Sequence, residues 1–160
     1  MKRMTALFSV VLVLMCVLSG CGKGKFNREL VMEDVYQKLM EAQGGKQGEL
    51  ILFPESDPGY FESFYPGLTG IELVQQVYYI APIAGAACEV LLVETAEVKD
   101  VSAVKEIFQA RIDRAAADPV YPDVAEVWAR TAQVQSAGNY VAMIALPDGF
   151  VIPENVFELE

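Results

Sequence analysis

Histidine is absent from this 160-residue chain. With it go the usual general base near neutral pH, the Ser-His and Cys-His nucleophile pairs and the commonest neutral metal ligand. Cysteine is scarce: Cys16, Cys21 and Cys88 are the three. A four-ligand zinc site built from one body cysteine and no histidine would need three carboxylates, a rare donor set. Basic residues are also few, with 12 Lys+Arg against 22 Asp+Glu. They do not cluster, which argues against phosphate-backbone binding and against nucleic acid as a partner. The acidity reads as solubility and repulsion from anionic surfaces. Repeats and low-complexity tracts are missing as well, which argues against solenoids and linker arrays.

What the chain does have is apolar material, 53% of its residues, enough to bury the core of one domain. Part of it lies at the start. Lys2 and Arg3 precede an apolar run from Ala6 to Leu18, interrupted only by Ser9. Thirteen helical residues cover about 20 Å, short of a hydrocarbon core of about 30 Å, so this is signal-peptide length rather than a membrane span. The run ends Leu18-Ser19-Gly20-Cys21, small residues before a cleavage point and a thiol directly after it. This resembles the lipobox of bacterial lipoproteins. Residues 1–20 are expected to form the signal peptide, with Cys21 the lipid-bearing first residue of the mature chain. Loss of Lys2 and Arg3 leaves 22 acidic against 10 basic side chains. Residues 21–26 form a short polar tether, and residues 27–160 a single domain on the extracytoplasmic face of the cell membrane. Stable anchoring needs two or more acyl chains, which such a cysteine supplies.

Within the domain, Asn27 reads as the N-cap of a helix from Arg28 to about Gln43, stopped by Gly44-Gly45. Leu50 to Phe53 is a short apolar run of uncertain type. Asp57-Pro58 supplies an N-cap and first helical residue for a short helix carrying Tyr60, Phe61, Phe64 and Tyr65. Leu73 to Ile80, rich in Val, Ile and Tyr, reads as a strand, and Ala87 to Thr95 as a second, almost wholly apolar one. Val101, Val104, Ile107, Phe108, Ile112 and Ala115 stripe a long helix capped by Asp100 or Ser102 and ended by Asp118-Pro119. Pro122 to Trp128 suggests a brief helix. Arg130–Gln135 and Asn139–Leu146 then pair across Ser136-Ala137-Gly138 as a hairpin, and Pro153 begins a last helical turn. The order implies an α+β domain: an antiparallel sheet of about four strands with helices packed largely on one face.

Several of these segments carry a resemblance. The lipobox, Phe64-Tyr65-Pro66-Gly67-Leu68, the strand Val74–Ile80 ending at Pro82, Val101-Ser102-Ala103-Val104-Lys105 and Gly138-Asn139-Tyr140-Val141 together resemble the uncharacterised bacterial lipoproteins of domain-of-unknown-function family 4358. The similarity runs from about Arg28 to Leu146, and the tail Pro147–Glu160 departs from it. The resemblance supports fold and location and implies no activity.

No catalytic, cofactor-binding or metal-binding constellation emerges. Ser102-Ala103-Val104-Lys105 matches the S-x-x-K spacing of serine acyl-enzymes, but the S-D-N and K-T-G partners are missing. Ser102 is more simply a helix-start residue and Lys105 a solvated one. Cys88 sits among apolar neighbours beside Glu89, an environment that disfavours a thiolate. Glu55, Asp57 and Glu62 lie close together without a calcium-loop pattern. The densest aromatic stretch runs from Phe53 to Pro66. There Phe61 and Phe64 are expected to face the core, and the hydroxyl-bearing Tyr60 and Tyr65 a wet partner-contact surface. The leading expectation is a non-enzymatic binding or interaction module with a protein, peptide or glycan partner in the envelope. The competing classes are an envelope hydrolase or transferase using carboxylates or Ser102, and a structural envelope factor.

Overall fold

The computed structural model describes residues 28–83 and 86–160. The expected signal peptide, Cys21, the expected tether and Asn27 cap, and Ala84-Gly85 lie outside the described residues. Among these residues five strands form one antiparallel sheet: β1 (Phe53–Pro54), β2 (Leu73–Ile80), β3 (Glu89–Thr95), β4 (Gln133–Ala137) and β5 (Tyr140–Ala145). Their spatial order is β1-β2-β3-β5-β4. The α+β reading holds. The strand beyond the expected four comes from the uncertain run near Leu50, where Phe53 and Pro54 pair with Ile80 and Tyr79. Proline, having no N–H to give a ladder, is tolerated there because β1 is an edge.

β3 and β5 are central. Every β5 side chain is buried, as are all but one on β3, which explains their continuous apolar runs. Period-two alternation then divides them between two cores. Val90, Leu92, Ala142 and Ile144 face α1 (Met32–Glu41) and the C-terminal Val156 and Phe157. Leu91, Val93, Val141 and Met143 face the opposite side. There they meet α2 (Pro58–Phe64), α3 (Val101–Ala116) and α4 (Pro122–Thr131). Three of these four helices thus share one face.

The first helix starts later than the pattern from Arg28 suggests. Leu30 donates its N–H to the Tyr140 hydroxyl, and Met32 donates its N–H to Gln75 Oε1 at 3.0 Å. The sheet itself satisfies the first helical donor, and the chain before it is held non-helical. At the other end Gln43 clips onto the C-terminal segment. Its amide donates to the Leu39 and Val151 carbonyls, and its Oε1 accepts from Val151 N.

Asp57 caps α2 as expected, accepting from Gly59 N at 2.7 Å. α4 runs past Trp128 to Thr131, whose hydroxyl donates to the Val127 and Leu146 carbonyls. The β4–β5 connection is tighter than expected: Ala137 pairs with Tyr140, so Gly138-Asn139 alone make the turn. Gly138 takes φ +60° at the first turn position, where a side chain would be strained. The last helical turn forms at Val156–Glu158, capped by Asn155 rather than opened by Pro153.

Candidate functional site: an aromatic cleft over a buried ion pair

Glu89 opens β3 on the row of Leu91 and Val93, facing α2, α3 and α4. It is 1% exposed. A buried carboxylate must be paired or neutralised, and here it is saturated with donors. The Tyr65 hydroxyl donates to Oε1, the Tyr78 hydroxyl donates to the same oxygen at 2.9 Å, and Arg111 donates Nη2 to Oε2 at 2.5 Å. Arg111 Nε adds a long contact to Oε1 at 3.4 Å.

Each donor arrives from a different element. Tyr65 follows the last residue of α2, Tyr78 lies on β2, and Arg111 stands on α3 one turn from Phe108. The Arg111 guanidinium lies over two rings, 4.6 Å from the Phe64 ring centre and 4.7 Å from that of Trp128. Arg114 Nη2 donates to the Phe64 carbonyl and fixes the end of α2 against α3. Gly67, at φ +89°, lets the chain turn away directly after Pro66; a residue with a side chain would be strained there.

Burial, and then the neighbouring Glu89 charge, raise Tyr65 and Tyr78 well above the usual phenol range. Burial alone would lower Arg111, but Glu89 and the two phenols outweigh it and leave the guanidinium raised. The two phenols are therefore neutral and the guanidinium charged.

Above the pair opens a cleft of about 200 Å³. Glu89 and Arg111 line its floor. Tyr60 and Phe64 of α2, Ile83 of the β2–β3 connection, and Tyr121 and Trp128 at α4 form its walls. Asp118 also lines it, but its Oδ1 accepts from Val120 N at 2.8 Å and shapes the turn before α4. A larger hollow of about 730 Å³ lies across β4 and the C-terminal segment, with polar lining and no aromatic wall. The smaller cleft has the chemistry of a recognition site: apolar walls and few, placed polar groups.

The residues singled out from sequence fall as follows. Tyr60 is 43% exposed at the cleft, in line with a wet surface. The expectation for Tyr65 is corrected: it is 0% exposed. The reason is helical spacing. Tyr60 aligns with Phe64, ring centres 5.5 Å apart, and Phe61 with Tyr65 at 6.5 Å. The second stripe is buried whole, and the Tyr65 hydroxyl finds its partner inside, on Glu89. Phe64, expected in the core, is half-buried: it packs against the core and also walls the cleft. Cys88 is buried, and burial followed by Glu89 pushes its thiol up to about 12. Ser102 and Lys105 are both exposed on the first turn of α3. Glu55 accepts from Ser56 N and Asp57 N, and Glu62 accepts from the Thr69 hydroxyl. The acidic trio is thus spent on local bonds, and no group of three His, Cys, Asp or Glu converges among the described residues.

Sequence reasoning missed Glu89 and Arg111. Each interrupts an otherwise apolar surface, Glu89 the run Ala87–Val93 and Arg111 the stripe of α3. Two opposite charges breaking two buried faces are the signal of a pair, although only the fold shows that they meet.

No curated protein and no solved structure matches the chain. A family model does match, over residues 67–146, a narrower span than Arg28 to Leu146. It takes in Tyr78, Glu89, Arg111 and Trp128 and leaves α2 outside. Half of the chain lies within it, and the protein belongs to the family described as Domain of unknown function (DUF4358).

Proposed function

We propose that the protein is a non-enzymatic binding module, anchored to the outer side of the cell membrane by lipid on Cys21, and that the aromatic cleft is its recognition site. The saturation of Glu89 carries this reading. A general acid or base must exchange a proton with substrate, whereas this carboxylate is sealed beneath two phenols and a guanidinium. The cleft is equipped to grip its occupant and holds no free acid–base group at its floor.

The route of the chain supports the same reading. It enters the domain on the α1 face, where Leu30 and Met32 bond to Tyr140 and Gln75. The cleft lies on the other face, towards the paired ends Ile80 and Glu89. From Gln75 to Ile80 the strand covers about 16 Å, so the cleft sits diagonally opposite the point of entry.

Two measurements test the reading. Cys21→Ala, expressed with labelled fatty acid, should lose the label and stay larger than the processed protein. A photo-crosslinking residue in place of Ile83, which is 65% exposed on the cleft wall, should give an adduct in living cells. The same residue in place of Val98, at the far end of the sheet, should not, and Tyr60→Ala should reduce the Ile83 adduct. Label retained on Cys21→Ala removes the anchor. Equal labelling at both crosslinking positions, or none, removes the site.

A further inference from the structure

Resting on the reading of the cleft as a binding site, we infer that its ligand is a single uncharged apolar residue of an extended peptide, whose backbone carbonyl accepts from Arg111 Nη1. Glu89 engages Nε and Nη2 of Arg111. Among the described residues no acceptor reaches Nη1, yet no buried side-chain nitrogen or oxygen lacks a partner. Nη1 is therefore not buried. The side chain is 14% exposed, and Arg111 lines the cleft floor. The floor thus offers an outward N–H donor.

Charge narrows the ligand from both sides. A cation entering between Phe64 and Trp128 would meet a guanidinium already stacked there. An anion would meet a guanidinium whose charge Glu89 neutralises, inside a protein of formal net charge −10. A neutral carbonyl suffers neither penalty and still satisfies the donor.

Size sets the length of what enters. A volume of about 200 Å³ lies below the roughly 300–1,000 Å³ of sites for drug-sized ligands. One side chain fills it. Apolar surface nevertheless continues past it: Ile83 on its wall is 65% exposed, and Val120, next to Tyr121 and outside the lining, is exposed as well. A chain running on from the cleft covers Val120 and the outer side of Ile83, which a free small molecule of the same volume leaves bare.

Trp128 is the only tryptophan and stands in the cleft wall, so its fluorescence reports occupancy directly. The full lipidated protein in detergent micelles is titrated with four probes: N-acetylphenylalaninamide, N-acetylphenylalanine as its anion, phenethylammonium, and an end-blocked pentapeptide with a central phenylalanine among glycines and serines. The blocked amide should change Trp128 emission saturably, with both charged probes at least about tenfold weaker and the pentapeptide at least about tenfold tighter. Tyr60→Ala and Tyr121→Ala should each weaken the pentapeptide about threefold to tenfold with the melting temperature held. Equal or tighter binding of the anion overturns the neutral-ligand assignment. A pentapeptide no tighter than the single residue overturns the peptide assignment. If no probe moves Trp128 while Ile83 still crosslinks in cells, the binding module stands and this inference falls; silence in both removes both.

Discussion

On the α1 face of the sheet, Val90, Leu92, Ala142 and Ile144 meet an apolar layer from α1 and the C-terminal segment. On the opposite face, one pleat away, Leu91 and Val93 share their row with Glu89. The first face keeps its polar groups at the margins, where Gln43, Gln75 and Gln135 bind backbone. Gln135, for example, donates to the Pro153 carbonyl and accepts from Val156 N. The second face places an ion pair inside. A buried ion pair is weak evidence for stability, because apolar residues of similar volume are often as good or better. Yet breaking such a pair is expensive. The α1 face is thus explained by folding alone, whereas the other pairs Glu89 with Arg111 beneath an aromatic cleft, and that pairing asks for a reason beyond packing.

Glu89→Ala gives the largest expected contrast. It strands the Arg111 guanidinium and removes the acceptor of two buried hydroxyls, for a loss of about 3–5 kcal/mol, read by urea denaturation. Glu89→Leu combined with Arg111→Met should recover part of that loss. Leu92→Ala on the other face costs about 2–5 kcal/mol by opening a cavity, and removing a charge elsewhere does not rescue it. A Glu89→Ala cost below about 1 kcal/mol would make the two faces equivalent and the comparison void.

Single hydroxyls sharpen the contrast. Tyr65→Phe deletes a buried bond to a charged group, at about 1.5–3 kcal/mol. Tyr79→Phe, on the α1 face, deletes a half-buried bond to Glu33. There water can replace the lost partner, so the cost is about 0.5–1.5 kcal/mol. Equal losses in the two denaturation curves would mean that Glu89 is better solvated than its burial implies.

Alkali tests both faces at once. Cys88 and Tyr36 belong to the α1 face, Tyr65 and Tyr78 to the other, and burial raises all four above their ordinary values. For a raised acid the unfolded chain releases its proton first, so the stabilisation is complete below the unfolded value and is lost as pH rises above it. Cys88, pushed up to about 12 from 9.0, acts first, and the phenols follow above their usual 10. The melting temperature should be level from neutrality to about pH 8.5 and then decline. In Cys88→Ala the decline should start about one pH unit later, a difference of about 1 kcal/mol at pH 10. A melting temperature that rises between pH 9 and 10 contradicts the burial of these groups.

The elements that local chemistry governs were legible in the sequence. β2 spans Leu73–Ile80 as its β-branched and aromatic content suggests, Asp57 and Pro58 start α2, and Val104, Phe108 and Ile112 bury the stripe of α3. What escaped depends on distant partners. Gln75, 43 positions away in sequence, satisfies the first donor of α1, so no cap near Asn27 could set that start. Glu89 reads only as a neighbour of Cys88, and nothing local ties it to Arg111, 22 positions away. Tyr65 escapes for a different reason. Its hydroxyl suggests a wet surface, but one turn of helix ties Tyr65 to the side of Phe61, and a buried carboxylate serves the hydroxyl as well as water does.

α2 itself supplies the smallest and most local test, since consecutive residues there divide between wall and core. Tyr60 is half exposed and packs against Phe64 one turn along the cleft wall; Phe61 is buried against Tyr78 with ring centres 5.0 Å apart. Removing the Phe61 ring should cost about 3–5 kcal/mol, because the void lies between α2 and the sheet and cannot collapse fully. Removing the Tyr60 ring opens no void, since water fills the place it leaves, and the change should stay within about 0.5 kcal/mol. Urea denaturation of Tyr60→Ala beside Phe61→Ala reads the difference with the backbone of α2 as a shared reference. If Tyr60→Ala unfolds the domain as Phe61→Ala does, the cleft wall is part of the core, and the aromatic walls have no role left but packing.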